Sequence, residues 1–520
     1  MSTPRGTLAL LSAVSVLLLG RLPGSGAKTV VMFPPAGRSY ILYHANIAEA
    51  LIELGHDVWI CVTDYLAQQG LVKNPSVKVL VYGRAIGNIE ARFQSAVPVL
   101  DDFWEGRTRG LLDSSPMTKL VNQITQEMLL DEGLVSQLRN LKPDLFVLEE
   151  GPMSTNMIVL PYKLGIPYAL IGTMNDMLLT RTPFSPGAEP MVFMGYTNRM
   201  TFLQRVHSTL MYLMFTVYNP FISDELVTRF APEKPHLTLR ELVLRAEVYV
   251  FEVDHILDYP RPSMPNVKHV GGSSATISKP LTGDFKQFVE ASVNGIAVVT
   301  FGGNEIGIPG HILKRMSEAF QKLDINVIWK ANMTSPDPTR IMTSNWVPQN
   351  DLLGHPKTRV FVSHCGKNGQ YEALYHAVPI LCLPIYGDQY YNTERIRSKG
   401  FGLGADIRKI TSEDLVHLIK EIASEAKYKT TIQKASKLFK ELYQLPMKKA
   451  AYWFDHVMKY GGDYMRSSGQ EMPLYQFLLL DVMAFLTVVT SCLFLLIFLV
   501  FRFIERRLLN RKHTPKSKQQ

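Results

Sequence analysis

Cysteine is scarce in this chain of 520 residues, which contains only four of them. Cys61, Cys365 and Cys382 fall in or beside apolar, strand-like runs, and Cys492 lies in a long apolar stretch near the C-terminus. Their spacing fits neither a disulfide framework nor a zinc site. We therefore expect the cysteines to be packing residues and the fold to do without disulfides.

The body of the chain also lacks the positive charge that nucleic-acid binding requires. The formal net charge is +9, of which residues 1–27 hold +2 and residues 502–520 hold +6, so that only +1 remains between them. This distribution argues against nucleic acid as a partner. A hydrophobic fraction of 46% is ordinary for a folded protein, and the length predicts two domains with appendages.

Both ends of the chain predict an association with a membrane. Residues 1–27 combine a basic residue, a short apolar run and small residues near Ala27, which is typical of a cleaved signal peptide; an uncut anchor is the alternative. Residues 482–501 carry no charge and are long enough to span a bilayer. The basic tail at 502–520 should stay in the cytosol, which predicts a type I protein with a lumenal body.

Two short motifs agree with that topology. The last five residues, 516–520, resemble the KxKxx retrieval signal of endoplasmic reticulum proteins, so we expect the protein in that membrane. Asn332 begins the single Asn-x-Ser/Thr sequence of the body and is a candidate glycan site.

Two parts of the body have the strand–helix–strand order of a parallel α/β sheet. The first part begins with a predicted strand at 28–34, a helix from about 40 to 54 and a strand at 58–62. A further strand at 144–148 leads into two glutamates. The second part begins with a strand at 296–301.

A segment rich in proline and glycine, residues 260–272, separates the two parts. We therefore expect an N-terminal domain at 28–275 and a C-terminal domain at 286–445. Residues 446–481 would be helical and would lead to the span.

The most informative stretch is 346–389, which reads WVPQNDLLGHPKTRVFVSHCGKNGQYEALYHAVPILCLPIYGDQ. It predicts a strand at 359–363, a glycine turn, a helix from about 368 to 376 and a strand at 380–383. Free N–H groups and the positive end of the helix dipole meet at such a turn. The segment HCGKNG at 364–369 is therefore suited to a diphosphate.

This stretch resembles the signature of the UDP-glycosyltransferases, the membrane enzymes that include the UDP-glucuronosyltransferases. A looser resemblance covers nearly the whole chain. It implies a GT-B fold, with two Rossmann-like, doubly wound domains facing each other across a cleft, plus a C-terminal transmembrane helix. It also implies inverting transfer of a hexosyl group from a UDP-sugar in the C-terminal domain to a small lipophilic acceptor in the N-terminal domain.

The resemblance assigns roles in UDP-sugar binding to nine residues of the signature. These are Trp346 stacked on uracil, Gln349 and Glu372 at uracil and ribose, His364, Gly366, Asn368 and Gly369 at the diphosphate, and Asp388 and Gln389 at the sugar. The UDP-sugar is a co-substrate, and no cofactor is expected. Because no Asp-x-Asp motif occurs, we also expect no metal, and the helix dipole and His364 would stabilise the charge.

The catalytic residues depart from the family pattern. The family's general base is a His at the start of the first N-terminal helix, a place occupied here by Tyr40, and the acid that holds it corresponds to Glu149. A phenol, with a reference pKa of about 10, is a poor base at neutral pH. His44 lies one helical turn further on and is a candidate substitute, although a lone His more often packs.

These departures leave two classes of function open. The chain is either a slow glycosyltransferase or a UDP-sugar-binding pseudoenzyme that acts by pairing with active relatives. The partners expected are a UDP-sugar, a lipophilic acceptor and the membrane, and a homo- or hetero-oligomer remains open.

Two further departures concern the donor. Gly303 stands where many members have Ser, and Glu252 stands where glucuronic-acid users have Arg. A carboxylate at Glu252 would repel a donor carboxylate, so we expect glucose or N-acetylglucosamine in preference to glucuronic acid.

Two segments have counterparts in the family that contact other surfaces. Residues 210–215 are apolar nearly all round and follow Arg199 and Arg205. In the family a segment near here lies on the lumenal membrane face, and a buried helix hairpin is the alternative. Residues 450–460 resemble the last helices of the family, which cross back to brace the N-terminal domain.

Overall fold

The computed structural model describes residues 26–89, 91–92, 104–105, 115–151, 154–173, 177–192, 194–219, 221–302 and 307–512. These residues belong to two compact units, one ending at Met465 and the other beginning at Arg466. Most of the predicted signal peptide, Gly303 and the predicted retrieval signal lie outside the described residues.

The first unit contains two parallel sheets. The first sheet has the strand order β3-β2-β1-β4-β5-β6-β7. Its strands are β1 (Thr29–Phe33), β2 (Asp57–Thr63), β3 (Lys78–Tyr82), β4 (Leu145–Glu149), β5 (Tyr168–Gly172), β6 (Tyr249–Phe251) and β7 (Val267–His269). The order reverses between β1 and β4, which is the switch point of a doubly wound sheet.

The second sheet repeats this plan with the order β10-β9-β8-β11-β12-β13. Its strands are β8 (Ile296–Thr300), β9 (Asn326–Lys330), β10 (Ile341–Ser344), β11 (Thr358–Ser363), β12 (Ile380–Cys382) and β13 (Gly402–Gly404). The two doubly wound domains predicted from the sequence are therefore confirmed.

Helices connect and cover the strands of both sheets. Before the second sheet lie α1 (Arg38–Glu53), α2 (Asp64–Ala67), α3 (Ser115–Leu129), α4 (Glu132–Leu141), α5 (Val159–Leu164), α6 (Met177–Thr180), α7 (Phe202–Val217), α8 (Glu225–Phe230), α9 (Leu239–Leu244) and α10 (Gly283–Ala291). Then follow α11 (Gly310–Gln321), α12 (Gln349–Gly354), α13 (Lys367–Tyr375), α14 (Gln389–Ser398), α15 (Ser412–Ser424), α16 (Ala426–Leu442) and α17 (Pro446–Tyr460). Short 3₁₀ turns occur at Arg84–Ile86, Thr155–Ile158 and Asp463–Met465.

The central strands are apolar along their whole length because both of their faces are covered. In β1, Val31 and Phe33 pack into one apolar layer and Val30 and Met32 into the opposite one. This double burial explains why the strands are continuous apolar runs rather than alternating patterns.

The last helix of the first unit returns to the N-terminal domain. In α17, Ala450 and Phe454 are buried in the same apolar layer as Ile47 and Leu51 of α1. A bond of 3.1 Å between His56 Nε2 and Asp455 Oδ1 joins the same two regions. Helix α17 thus contacts the N-terminal domain, as the resemblance of residues 450–460 implies.

Helix α7 presents apolar side chains to the outside. Phe202 is 68% exposed, Leu203 74% and Leu210 59%. A capping box formed by Thr201 and Gln204 begins the helix. The segment is therefore a single surface helix, and the alternative of a buried hairpin is wrong.

One expectation about the cysteines is also wrong. Cys365 and Cys382 form a disulfide, with their Cα atoms 5.2 Å apart. They are 17 residues apart in sequence, but β11 and β12 are neighbouring strands whose ends lie side by side. Sequence spacing does not reveal such a pairing. Cys61 is free and buried, as expected.

The second unit contains the short helices α18 (Ser468–Glu471) and α19 (Leu474–Phe477) and the long helix α20 (Leu480–Lys512). The most apolar 18 residues within Leu480–Leu509 of α20 have a mean hydropathy of 2.7, and the helix is long and apolar enough to cross a membrane. The predicted span at 482–501 lies within it.

Candidate active site

The glycine turn of the C-terminal domain lies between β11 and α13. Gly366 caps α13 with an extended backbone, so the first N–H groups of that helix point out of the turn. The His364 ring packs against Gly366 and Gly302, where a Cβ atom would crowd it. At Gly369 a Cβ atom would lie 3.1 Å from the ring of Phe361, so this glycine lets α13 approach β11 closely. The turn can therefore accept an anion at a helix N-terminus.

His364 contributes to this turn as a neutral ring. Burial, and then the nearby Lys330, lower the pKa of His364 to about 4. At physiological pH the imidazole is uncharged, so it offers a phosphate a hydrogen bond rather than a positive charge. A neutral His364 does not supply the positive charge that was expected of it.

Asn368 carries an unsatisfied polar atom at the same turn. Among the described residues, its Oδ1 is buried without a hydrogen-bond partner. Rotating an Asn amide by 180° exchanges the positions of its oxygen and nitrogen without changing its shape. The rotated amide would present its NH₂ group there. An NH₂ group at this position suits a phosphate oxygen.

Gln349 and Glu372 are joined across the edge of the sheet. Gln349 Nε2 donates to Glu372 Oε2, and Thr300 Oγ1 donates to Gln349 Oε1 at 2.5 Å. Burial raises the pKa of Glu372 to about 7 against the opposing effect of the Gln349 bond. Trp346 is 56% exposed, so its ring is open for stacking.

Asp388 and Gln389 lie at the start of α14, beyond the loop that follows β12. Gln389 Oε1 accepts from the backbone N–H groups of Ile385 (2.7 Å) and Tyr386 (3.1 Å), so its amide nitrogen is the group suited to a sugar hydroxyl. Asp388 Oδ2 accepts from Asn392 Nδ2 at 2.6 Å. Burial raises the pKa of Asp388.

The N-terminal candidates lie at the switch point of the first sheet. Tyr40 is half-buried, and the pKa of its phenol is raised by burial and then by Glu149 and Asp388. Since Asp388 belongs to the C-terminal domain, Tyr40 lies on the side of the N-terminal domain that faces the donor domain. Deprotonation of Tyr40 is therefore disfavoured at the place that the resemblance assigns to the base.

His44 lies behind Tyr40 in the protein interior. It is fully buried, its Nδ1 bonds the Tyr40 carbonyl at 2.9 Å, and its Nε2 lies 3.8 Å from Glu149 Oε2. Burial lowers the pKa of His44 to about 3. An acceptor hydroxyl cannot reach this ring without a rearrangement, so the geometry does not favour His44 as the substitute base.

The two glutamates near this point are buried acids. Glu149 ends β4, and burial, followed by Glu252 and Glu150, raises its pKa well above the usual range. Glu252 is fully buried and accepts from the Ser273 backbone N–H at 2.8 Å and from its hydroxyl. Glu252 thus fills the interior instead of lining the cleft, and the direct repulsion of a donor carboxylate expected for it is not supported.

A buried ion cluster between the domains has no counterpart in the sequence predictions. Asp258, in the loop between β6 and β7, pairs with Lys367 Nζ at 3.0 Å and with Arg395. Burial lowers the pKa of Lys367 to about 8. Lys367 and Arg395 lie more than 100 residues from Asp258, so only the fold brings them together, and no local pattern reveals it.

These features define a class of protein. Two doubly wound domains carry a helix N-terminus, an open aromatic ring and polar side chains at one sheet edge, which is the arrangement of a nucleotide-sugar glycosyltransferase. The family model described as UDP-glucoronosyl and UDP-glucosyl transferase matches residues 29–514. The chain belongs to that family.

Individual relatives agree with this assignment. UDP-glucuronosyltransferase 1A8 of Homo sapiens is 27% identical over 521 residues, covering 97% of this chain and 96% of that protein. UDP-glucuronosyltransferase 1A5 of Homo sapiens is 31% identical over 417 residues, covering 77% and 76%. A solved UDP-glucosyltransferase from Polygonum tinctorium aligns with a TM-score of 0.56 at 16% identity, covering 84% of this chain and 100% of that one. The structural likeness identifies the fold as GT-B.

The raised pKa of Glu372 predicts pH-dependent donor binding. An acid whose pKa is about 7 loses its negative charge as the pH falls through 7, and the ionised carboxylate is the better acceptor for ribose hydroxyls. Between pH 8 and pH 6 the ionised fraction falls from about 90% to about 10%, so UDP-glucose affinity should fall by up to about tenfold.

Calorimetric titration of UDP-glucose at several pH values would measure this change. The matched control is Glu372→Gln, which keeps the shape of the side chain and should bind weakly with little pH dependence. A wild-type affinity as flat as that of the control would contradict the assignment of Glu372 to the ribose.

Proposed function

We propose that this glycosyltransferase transfers a neutral hexosyl group, glucose or N-acetylglucosamine, from its UDP-sugar to a small lipophilic acceptor with inversion and without a metal. The observation that supports the donor half is the sheet edge where Gln349 bonds Glu372 beside the open ring of Trp346 and the N-terminus of α13. The ring of Trp346 suits a nucleobase, the Gln349–Glu372 pair suits a ribose, and the N-terminus of α13 suits a diphosphate.

In an inverting transfer, the acceptor oxygen attacks the anomeric carbon from the face opposite the leaving group. The bond from that carbon to the β-phosphate oxygen breaks, UDP leaves with the electron pair, and the acceptor proton passes to a base or to solvent. The dipole of α13 stabilises the negative charge that develops on the diphosphate. The chain departs from its family in the proton transfer, because the position of the base is occupied by Tyr40.

The preference for a neutral sugar rests on a missing cation. Glu252 occupies the place of the family's carboxylate-binding Arg, and it is buried and bonded to Ser273. Of the cations near the turn, Lys367 is already paired with Asp258, and Lys330 donates to the Gly302 carbonyl at 2.6 Å. A donor carboxylate would therefore lose water in the cleft without gaining a partner, which is costly.

Thermal-shift titration of the purified protein with different donors tests this preference. UDP-glucose and UDP-N-acetylglucosamine should raise the melting temperature more than UDP-glucuronic acid at equal concentration, since stabilisation follows occupancy. UDP alone is the reference for the contribution that all three donors share. A larger shift with UDP-glucuronic acid would rule out the neutral-sugar assignment.

The second candidate function is that of a UDP-sugar-binding pseudoenzyme that acts by pairing with active relatives. Tyr40 favours it, because the phenol at the position of the base has a raised pKa. The enzyme is favoured by the intact donor residues together with Glu149, the acid expected beside the base. General-base catalysis contributes about 10² to 10⁴-fold, so loss of the base predicts a slow enzyme rather than an inactive one.

Acceptor chemistry separates the two candidates. Amines and acidic phenols ionise easily or need no deprotonation, so they should be glycosylated faster than aliphatic alcohols. Tyr40→His should raise turnover on an alcohol by at least about tenfold, part of the contribution of a general base, with Glu149 orienting the new imidazole. Turnover on an acidic phenol should change much less.

His44→Ala is the matched control for this experiment. Because His44 is buried and bonded to the backbone, its removal should lower stability and leave the ratio of alcohol to phenol turnover unchanged. If His44→Ala abolished turnover on the alcohol while Tyr40→His had no effect, His44 would be the base after all. No turnover on any acceptor, with donor binding intact, would favour the pseudoenzyme.

We further propose that the body lies in the lumen of the endoplasmic reticulum, anchored by α20. Support comes from the apolar length of α20, the basic residues that follow its apolar part from residue 502 onward, and the exposed Asn332 of the candidate glycan site. The exposed apolar side chains of α7 suit a helix lying on the lumenal membrane face. Such a surface also suits the delivery of lipophilic acceptors from the bilayer.

Protease treatment of sealed microsomes tests the topology. Only the tail should be accessible, so the protein should lose about 2 kDa and keep its glycan. Asn332→Gln is the control that identifies the glycan by its smaller mass. Digestion of the whole body in sealed vesicles would place it in the cytosol.

A further inference from the structure

The disulfide between Cys365 and Cys382 lies beneath the glycine turn. Cys365 is the middle residue of the connection from β11 to α13, flanked by His364 and Gly366. Cys382 is the last residue of β12, the strand that leads to Asp388. Both cysteines are buried. The bond thus joins the segment assigned to the diphosphate with the segment assigned to the sugar.

The backbone at Cys365 needs to be held. Its φ of 64° lies in the left-handed region, which residues with a Cβ atom rarely adopt. Its N–H donates to Ser363 Oγ at 3.2 Å, and its carbonyl accepts from Gln370 Nε2 at 3.3 Å and from Asn392 Nδ2 at 3.0 Å. The sulfur bond is a covalent tie added to these hydrogen bonds.

Asn392 extends the connection to the sugar site. The same Nδ2 that bonds the Cys365 carbonyl also bonds Asp388 Oδ2 at 2.6 Å. A shift of Cys365 would therefore disturb both Asp388 and the first N–H groups of α13. Recognition that depends on fixed N–H groups loses affinity when these groups are not held in place beforehand.

We propose that the Cys365–Cys382 disulfide is a positioning element for the donor, holding the turn in the conformation that binds the diphosphate. The proposal rests on the UDP-sugar function proposed above. Because both sulfur atoms are buried, the bond stays closed in the folded protein and acts as a permanent constraint rather than as a switch.

The bond forms by thiol–disulfide exchange with a disulfide such as oxidised glutathione. The thiolate of one cysteine attacks the small disulfide and releases one glutathione thiol; the second cysteine then displaces the other. Two protons and two electrons leave the protein, and one disulfide is reduced to two thiols. A lumenal compartment supplies this oxidant, whereas the cytosol opposes the reaction.

The first experiment maps the bond in the wild-type, full-length protein. The unreduced protein is alkylated under denaturing conditions and digested. We expect the peptides of Cys365 and Cys382 to be recovered linked, while Cys61 is alkylated. Alkylation of both Cys365 and Cys382 without prior reduction would overturn the proposal, and this result needs no variant and no ligand.

The second experiment is a double-mutant cycle with Cys365→Ala, Cys382→Ala and the double variant. Each single variant removes the same bond, so the dissociation constant of UDP should rise by roughly five- to twentyfold in either, and the double variant should be no weaker than a single one. The KM for the donor should rise, whereas kcat should stay within about twofold of the wild-type value, since the turn is required for donor binding. Losses that add in the double variant would mean two independent packing residues.

Cys61→Ala is the matched control, a buried cysteine in the other domain. It should lower the melting temperature without changing UDP affinity. If the disulfide variants likewise lowered only the melting temperature, the bond would be structural and the positioning role would be refuted. Should Cys365→Ala not fold, Cys365→Gly removes the bond at a residue that tolerates the positive φ.

Wild-type titration separates this proposal from the function on which it rests. If wild-type protein bound neither UDP nor UDP-glucose, the proposed function would fail and the positioning role with it, although a mapped bond would stand. If wild type bound UDP and the disulfide variants bound it equally well, only the positioning role would fail.

Discussion

The buried carboxylate of Asp258 holds the two domains together at the donor site. It projects from the N-terminal domain and pairs with Lys367, the first residue of α13, and with Arg395 in α14. Burying three charges is costly, and removing one partner from such a cluster typically costs about 3–5 kcal/mol because the remaining charge stays buried. Helix α13 begins at the glycine turn, and α14 begins directly after Asp388. The cluster therefore fixes the positions of both helix N-termini relative to the N-terminal domain.

Burial also explains why charge is hard to maintain in the cleft between the sheets. It raises the pKa values of Tyr40 and Glu149 and lowers those of His364 and Lys367, in each case toward the neutral form. The groups suited to a diphosphate are therefore mainly dipoles, namely the N–H groups of α13 and neutral side chains. The same low polarity makes a phenol at position 40 unsuitable as a base.

Local sequence patterns were sufficient for the fold and for placing most of the candidate donor residues in one region. The strands are continuous apolar runs, and residues 346–389 contain a whole strand–turn–helix unit, so its boundaries could be predicted within one or two residues. Gln349 and Glu372 could be assigned to one site because both belong to this contiguous unit. The glycines of the turn marked a place of close approach, which in the structure is that of the His364 ring to Gly366 and of α13 to β11 at Gly369.

Long-range pairing was beyond such patterns. The Cys365–Cys382 bond depends on β11 and β12 being neighbours, and the pairing of Lys367 depends on a loop more than 100 residues away. The orientation of His44 was missed for a related reason. Helical spacing put it on the face of Tyr40, but its ring turns inward to the Tyr40 carbonyl. Periodicity predicts the helix face on which a side chain lies, but it does not predict the partner with which that side chain forms a hydrogen bond.

The distribution of these residues along the chain separates binding from catalysis. The candidate donor residues lie in one domain within one contiguous stretch, whereas the candidate residues for proton transfer come from α1 and the end of β4, opposite the other domain. A substitution at position 40 therefore changes the chemistry of the acceptor side and leaves the bonds among Gln349, Glu372 and Thr300 in place. Donor binding can persist in this chain whatever the rate of transfer, so affinity for UDP-sugars establishes the donor site alone, and the fate of the acceptor proton decides between the enzyme and the pseudoenzyme.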